Sequence, residues 1–153
     1  KDVKDNWNKI FVSTGATFDD EIKNAVDVLD GSDFELLHCV TIYPTPLNEL
    51  HLNRIKFLNK FCNKVGYSDH SKPSTTGLWA SKIALAMGAS NIERHYTIDR
   101  TWKGTDHAAS LEPEGLRKLA RDLKAVHQAL SFKSQDILPI EQVQRDKLKN
   151  KKI

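Results

Sequence analysis

The chain has few of the features that mark secreted or membrane proteins. It contains only two cysteines, Cys39 and Cys62, and Cys39 lies within an apolar segment that is typical of a buried thiol. No apolar run approaches the roughly 18 residues that a transmembrane helix needs. The first residues are polar and lack the apolar centre of a signal peptide. We therefore expect a cytoplasmic protein with free thiols and no membrane contact.

The excess of positive charge is confined to the end of the chain. Residues 141–153 contain five basic and two acidic residues, which accounts for the whole net charge of +3. This segment has no aromatic residue on which a base could stack. We therefore expect no nucleic-acid binding, and we interpret residues 139–153 as a basic helical tail.

The order of apolar segments predicts four strand–helix units. Short apolar runs at residues 9–13, 34–40, 64–68 and 91–96 are typical of buried strands. Helical spacing predicts helices from an N-cap at Thr17 to Gly31, over about residues 48–63, up to Gly88, from Pro113 onward and over residues 139–148. Because the strands are apolar at nearly every position, we expect an α/β fold with a parallel sheet that helices cover on both faces.

Polar side chains follow each predicted strand. They are Ser13 and Thr14 after the first strand, Thr41 and Tyr43 after the second, Ser68, Asp69 and His70 after the third, and Glu93 and His95 on the fourth. In parallel βα proteins these strand ends share one edge of the sheet, where ligands bind. The sequence therefore predicts a polar site at that edge.

Two histidines at neighbouring strand ends favour a metal site. Adjacent strands lie about 4.8 Å apart, so His70 and His95 could both reach one divalent ion; alternatively, each is a hydrogen-bonded structural histidine. Glu93 faces the same side of its strand as His95. It either pairs with Arg94 or Arg100, or serves as a general acid or base whose pKa is raised in a dehydrated interior.

The other histidines favour structural roles. His38 lies within an apolar strand and is predicted to be a hydrogen-bonded core residue, whereas His51 and His127 are predicted on helix surfaces.

Five segments, taken in order, resemble the sialic acid synthase family, which condenses phosphoenolpyruvate with an N-acyl amino sugar. They are residues 13–17 (Ser-Thr-Gly-Ala-Thr), 36–40 (Leu-Leu-His-Cys-Val), 43–46 (Tyr-Pro-Thr-Pro), 66–70 (Gly-Tyr-Ser-Asp-His) and the run 93–113. The resemblance implies a TIM-barrel fold, of which residues 1–138 form the C-terminal half, equivalent to strands five to eight. Residues 139–153 would then lead toward a missing small domain, and the complete enzyme would be a homodimer.

The resemblance also implies a role for each residue of the site. His70 and His95 would bind Mn²⁺ or Mg²⁺, and Glu93 would be catalytic. The substrate-binding residues would be Ser13 and Ser68 at the phosphate of phosphoenolpyruvate, Thr41 and Tyr43 facing substrate, and Asp106 at the sugar hydroxyls. Some relatives carry asparagine at the position of Thr41. The roles of Trp102 and His107 are left open.

The expected function is that of a sialic acid synthase, which forms a nine-carbon 2-keto sugar acid and releases phosphate. Two alternatives remain: an inactive half-barrel that serves assembly or binding, because the family's phosphate-binding lysines are missing, and another metal-dependent aldolase. The sugar could be a sialic, legionaminic or pseudaminic acid precursor, with or without a 6-phosphate. Residues 101–107 favour the sialic branch.

Overall fold

The structure is a computed structural model that describes Lys4 and residues 6–149. Residues 150–153 of the predicted basic tail lie outside the described residues.

Four parallel strands form one sheet in the order of the sequence. They are β1 (Ile10–Ser13), β2 (Phe34–His38), β3 (Val65–Ser68) and β4 (Ile92–Glu93). The predicted α/β class, strand number and parallel direction are confirmed. β4 is shorter than predicted because the chain beyond it changes partner: Tyr96 pairs with Leu111 rather than with β3.

Helices follow the strands. They are α1 (Asp19–Leu29), α2 (Arg54–Leu58), α3 (Pro73–Thr76), α4 (Trp79–Ala86), α5 (Pro113–Ala129) and α6 (Pro139–Lys149), with short 3₁₀ turns at Leu47–Glu49 and His107–Ala109. The prediction of a helix over residues 48–63 was wrong in extent. His51 adopts a φ of 44°, which a right-handed helix does not allow, so the helical segment is divided.

The N-cap prediction for the first helix was also wrong. Phe18 rather than Thr17 occupies that position, and its backbone N–H donates to the Glu21 carboxylate over 2.8 Å.

The main apolar core lies on one face of the sheet. The strand residues in or against this core alternate along each strand: Val12, Phe34, Leu36, Val65, Tyr67 and Ile92. They pack against buried helix-side residues that include Ile22, Ile55, Leu58, Ala80 and Ala84. Alternate side chains of a strand point to opposite faces, so this pattern defines an outer, helix-covered face.

The other face, called the inner face here, is open in part: Glu35, Leu37 and Ser68 are buried, but other side chains on it are exposed. Phe11 is 50% exposed, and Ser13 and Glu93 are exposed. The expectation that helices cover both faces was therefore wrong for the described residues. A parallel sheet with helices on one face only is the arrangement of a barrel wall.

His38 and His127 lie where predicted, whereas His51 is exposed but not on a helix, because its positive φ interrupts the helical segment before α2. His38 is 3% exposed, and its Nε2 atom lies 2.8 Å from the Leu50 carbonyl oxygen. His51 and His127 are exposed.

Among the described residues, none of the helices combines the length and the hydropathy that a membrane span requires.

Candidate active site at the strand exits

His70 and His95 meet at the carboxyl edge of β3 and β4. Their ring centroids are 5.0 Å apart. Both residues follow the inner-face positions Ser68 and Glu93, which are direct partners in the sheet register. The predicted proximity of the two histidines is therefore present, and it results from the parallel register of two neighbouring strands.

The imidazole of His70 is oriented by the backbone. Its Nδ1 atom lies 3.0 Å from the Val40 carbonyl oxygen. Because a carbonyl only accepts hydrogen bonds, Nδ1 of the neutral ring carries the hydrogen, and Nε2 keeps a lone pair that can accept from the Cys39 thiol. The Cys39 thiol lies beside the same ring, 3.7 Å from Nε2.

Glu93 is bound to Ser68 rather than to an arginine. The Ser68 hydroxyl donates to Glu93 Oε1 over 2.5 Å. That hydroxyl also lies 3.4 Å from His70 Nε2, but its single hydrogen is used by the carboxylate. Of the two pairings considered for Glu93, Arg94 pairs with Asp69 and Arg100 pairs with Glu112. The Glu93 carboxylate is exposed on the open inner face.

Burial lowers the pKa of His95, and the neighbouring His70 lowers it further. The ring is therefore neutral near pH 7, which is the form that binds a metal ion. Asp106 approaches from the loop after β4, with Oδ2 3.5 Å from His95 Nδ1. The predicted sugar-binding carboxylate thus lies beside one of the two predicted metal ligands.

Tyr43 connects the exit of β2 with both histidines. Its ring stacks on His95 at a centroid distance of 4.3 Å and meets His70 edge-on at 5.3 Å. The phenol lies 3.3 Å from the Ser110 hydroxyl, which itself donates to the Asp106 carbonyl oxygen. Burial raises the pKa of Tyr43, so the phenol stays protonated and donates to Ser110.

Two predicted substrate-binding residues lie apart from this cluster. Ser13 and Thr41 are both exposed. Ser13 ends β1 and Thr41 follows β2 at the same edge of the sheet. A Cβ atom at Gly15 would collide with Thr41 Oγ1. The structure therefore brings together Tyr43, Ser68, His70, Glu93, His95 and Asp106. It leaves Ser13 and Thr41 at the rim.

His107 and Trp102 form a small unit in the loop after β4. The His107 Nδ1 atom lies 2.8 Å from the hydroxyl of buried Thr97. The Trp102 ring meets the His107 ring edge-on at 5.8 Å. A Cβ atom at Gly104 would lie 2.6 Å from the His107 ring, so glycine allows the loop to fold closely around it. These contacts hold the loop that carries Asp106.

Sequence reasoning missed a buried ion pair behind the site. Arg94 and Asp69 are 2.7 Å apart, and their side chains are 4% and 0% exposed. Asp69 lies between Ser68 and His70, and Arg94 lies between Glu93 and His95. Opposite charges at matching positions of two adjacent strands were the available signal, because alternation places both side chains on the outer face.

The residues at the strand exits fit a divalent metal in part. His70 offers an oriented imidazole whose Nε2 carries no hydrogen in the neutral ring, and His95 offers a neutral imidazole. Among residues 6–149 and Lys4, no group of three or more His, Cys, Asp or Glu side chains forms a metal site. Any further ligands would therefore be water, substrate or groups outside the described residues.

Comparison with known proteins identifies relatives over most of the chain. The model of the NeuB family matches residues 1–135. An uncharacterized protein of Methanocaldococcus jannaschii is 38% identical over 136 residues, which cover 86% of this chain and 39% of that protein. The N,N'-diacetyllegionaminic acid synthase of Campylobacter jejuni is 41% identical over 128 residues, covering 80% of this chain and 37% of the synthase. The chain thus spans about two fifths of the length of these curated relatives.

A solved structure with the same fold extends the comparison. The N-acetylneuraminic acid synthetase of Leptospira borgpetersenii, determined with citrate, superposes with a TM-score of 0.77 at 36% identity. The match covers 92% of this chain and 50% of that one. The four parallel βα units are therefore a TIM-barrel-type fragment, as the sequence predicted.

Proposed function

The chain belongs to the NeuB family, and we propose that it supplies the part of the active site carried by strands five to eight in a sialic acid synthase-type barrel. The observation that supports this proposal is the convergence of two imidazoles, a tyrosine and two carboxylates at the exits of parallel strands. The relative from C. jejuni is named as a synthase of a related sugar acid.

The proposed reaction joins phosphoenolpyruvate to the open-chain form of an N-acyl amino sugar. The C2=C3 double bond of phosphoenolpyruvate opens as C3 forms a bond with the sugar aldehyde carbon. The aldehyde oxygen gains a proton and becomes a hydroxyl group, and C2 is left as an oxocarbenium centre. Water then adds at C2, and phosphate leaves with cleavage of the C–O bond. The product is a nine-carbon 2-keto sugar acid.

We propose that His70 and His95 hold Mn²⁺ or Mg²⁺, which would polarise the aldehyde as a Lewis acid when bound. The Val40 carbonyl fixes the protonated nitrogen of His70, so that Nε2 is the nitrogen left to bind the metal. Because His95 is neutral, it need not lose a proton before it binds the metal.

Glu93 is proposed as the general acid or base. Its carboxylate is held by the Ser68 hydroxyl on the inner face, beside the two histidines. In that position it can deliver a proton to the aldehyde oxygen or remove one from the attacking water.

The remaining polar residues are proposed to bind substrate. Asp106, beside His95, would accept hydrogen bonds from the sugar hydroxyls. Ser13 would donate to the phosphate, since a hydroxyl group suits an anion as a ligand. Ser68 would do the same only when its hydroxyl hydrogen turns away from Glu93. Tyr43 would form a wall of the site through its stacking on His95, with Thr41 at its rim.

The metal assignment is tested by His70→Ala and His95→Ala in a complete barrel that contains this chain. We expect each variant to lose stimulation of phosphate release by Mn²⁺ and to bind Mn²⁺ far more weakly, because half of the protein ligands are gone. His51→Ala is the matched control, since His51 is exposed and lies outside the cluster. Metal titrations of both site variants that match those of the control would refute the assignment.

The substrate is tested by incubating the same barrel with phosphoenolpyruvate and one amino sugar at a time. N-acetylmannosamine, its 6-phosphate and a 2,4-diacetamido sugar distinguish the possible branches. We expect phosphate release to depend on the sugar, with N-acetylmannosamine preferred, and mass spectrometry to detect the 2-keto acid. Phosphate release without any sugar would contradict the proposed condensation.

A further inference from the structure

β3 and β4 separate at the point where the two histidines begin. The last backbone hydrogen bond between these strands runs from the Asp69 N–H to the Glu93 carbonyl oxygen. Beyond it, the His70 carbonyl accepts from Thr45 N–H, and the His95 carbonyl accepts from Leu111 N–H. The backbone of His70 is therefore tied to one loop and the backbone of His95 to another. Strand pairing brings the two residues side by side, but it ends before them and so does not by itself fix the separation and orientation of their rings.

The Asp69–Arg94 pair crosses this gap from the outer face. Arg94 Nη1 lies 2.7 Å from Asp69 Oδ1. Its Nη2 atom donates to the Ser71 carbonyl oxygen over 2.9 Å. One guanidinium thus binds the residues on both sides of His70, and it is itself the residue before His95 in the chain. A planar guanidinium imposes a defined direction on such contacts.

Asp69 is held rigidly in turn. It accepts hydrogen bonds from the Ser71 N–H, the Tyr67 hydroxyl and the Ser81 hydroxyl of α4. These contacts connect the carboxylate to β3, to the turn after β3 and to the helix that covers them. The carboxylate therefore has little freedom to follow Arg94 if the strands move.

Stability alone gives a weak reason for this arrangement. A buried ion pair often stabilises a fold no more than apolar residues of similar size would. Arg94 Nε, moreover, has no hydrogen-bond partner among the described residues. What the contacts of Asp69 and Arg94 do have in common is that they fix the backbone immediately beside both histidines.

We propose that Asp69 and Arg94 are positioning residues that set the separation and orientation of His70 and His95. This inference rests on the proposed metal-binding function of the two histidines. Neither residue touches the inner face, so they act through the strand ends rather than on the substrate. Supporting groups of this kind commonly change metal affinity by about 10–100-fold when they are altered.

The test uses Arg94→Lys and Asp69→Asn in a complete barrel that contains this chain. Arg94→Lys keeps the charge but removes the planar fork, and Asp69→Asn keeps the size but removes the charge. Electron paramagnetic resonance measures Mn²⁺ affinity, and we expect the dissociation constant to rise by about 10–100-fold in both variants. Ser81→Ala removes one support of Asp69 from α4 and should produce a smaller rise. If Arg94→Lys and Asp69→Asn do not fold, Ser81→Ala still tests the proposal.

Glu35→Gln is the matched control. Glu35 is also a buried, ion-paired carboxylate on this sheet, but it bonds Lys9, Ser90 and Asn91 at the amino ends of the strands. We expect Glu35→Gln to lower the midpoint of urea unfolding, because the variant loses a buried ion pair, and to leave the Mn²⁺ affinity unchanged. Equal weakening of Mn²⁺ binding in Glu35→Gln would show that general destabilisation is the cause, and would overturn the proposal.

A metal-free measurement separates this proposal from the proposed function. In histidine-labelled protein, the 5.0 Å ring separation should give a nuclear Overhauser effect between His70 and His95. We expect the effect in wild type and Glu35→Gln, and its loss or weakening in Arg94→Lys. If wild type shows this effect but binds no Mn²⁺, the metal function fails while the positioning role stands. If folded Arg94→Lys or Ser81→Ala retains both the effect and wild-type affinity, the positioning role is refuted.

Discussion

At the scale of single residues, the short hydrogen bond between Ser68 and Glu93 connects two neighbouring strand ends inside the site. Glu93→Gln, in a complete barrel that contains this chain, removes the proton-transfer group and keeps its shape. We expect Mn²⁺ affinity to be retained and kcat to fall by about 10²–10⁴-fold, which is the usual contribution of general acid–base catalysis. Steady-state kinetics and a metal titration measure the two effects. A normal kcat with a raised KM would instead assign Glu93 to substrate binding.

The buried carboxylate of Glu35 gives a prediction about pH. Burial alone would raise its pKa, but hydrogen bonds from Lys9, Ser90 and Asn91, with the charge of Lys9, outweigh burial and lower the pKa below its ordinary value. The folded state then binds this proton less readily than the unfolded state. The stabilisation is therefore complete above the ordinary pKa of about 4.3 and is lost as the pH falls through the folded value.

Glu35→Gln, in a complete barrel that contains this chain, should remove that stabilisation. We expect the free energy of unfolding at pH 7 to fall by about 1.5–3 kcal/mol, as for a hydrogen bond to a charged group. Urea titrations between pH 7 and pH 3 should show a smaller loss of stability in acid for the variant than for wild type. Parallel pH profiles for the two proteins would contradict the assigned pKa shift.

At this scale, the sequence predicted the site correctly where the alternation of side chains along a strand determines their position. Ser68, Glu93 and the two histidines could be placed together because neighbouring parallel strands share a register. The pairing of Arg94 with Asp69 rather than with Glu93 was missed because the prediction relied on proximity in the chain. Adjacent residues of a strand face opposite sides, so alternation excludes Glu93 as the partner and places Arg94 beside Asp69 on the outer face.

At the scale of elements, Gly66 limits what β3 can carry on its inner face. A Cβ atom there would lie 2.5 Å from Leu37 Cδ2 and 2.9 Å from the Asn91 carbonyl oxygen. Because the second contact is with backbone, side-chain rotation cannot relieve it. Gly66→Ala in a complete barrel should therefore destabilise the fold by about 1–3 kcal/mol, as overpacking does. Urea denaturation measures the loss.

Ser13→Ala is the control for that prediction. Ser13 ends β1 on the same inner face but is exposed, so its removal should change the free energy of unfolding by no more than about 0.5 kcal/mol. Equal stabilities for Gly66→Ala and Ser13→Ala would mean that β3 and the segment before β4 can separate without cost.

Element type was easier to predict than element length. The apolar runs correctly gave four strands, and the spacing after Pro113 gave the long helix α5. The ends of β4 and α2 depend on contacts that lie outside those segments or on local backbone geometry. β4 stops where Leu111 replaces β3 as the partner, and the positive φ of His51 interrupts the helical segment before α2.

At the scale of the whole molecule, the inner face explains why the chain resembles one wall of a barrel. The interior layers of TIM barrels are usually dominated by valine, leucine and isoleucine. Here the inner-face residues of the strands are Phe11, Ser13, Glu35, Leu37, Gly66, Ser68 and Glu93. The apolar strand residues serve the outer core instead. Association of other chains with this face would therefore be favoured by few apolar side chains, chiefly Phe11, and by the open edges of the sheet.

The last prediction concerns this chain when it is expressed alone. β1 and β4 lie at the two edges of the sheet, and an open edge presents unpaired N–H and C=O groups that bind other strands. We expect the chain to associate and to release no phosphate from phosphoenolpyruvate with any amino sugar. Size-exclusion chromatography with light scattering, beside a phosphate assay, tests both parts.

Phe11→Lys provides the matched variant for that experiment. It places a charge on the inner face of edge strand β1 and removes a side chain that is 50% exposed. Lysine on an edge strand opposes strand addition, so we expect a larger monomer fraction than for the unaltered chain, still without activity. If the unaltered chain is instead a monomer that releases phosphate only when an amino sugar is added, four βα units suffice for catalysis. The inactive half-barrel alternative and the need for a closed barrel would then both be rejected.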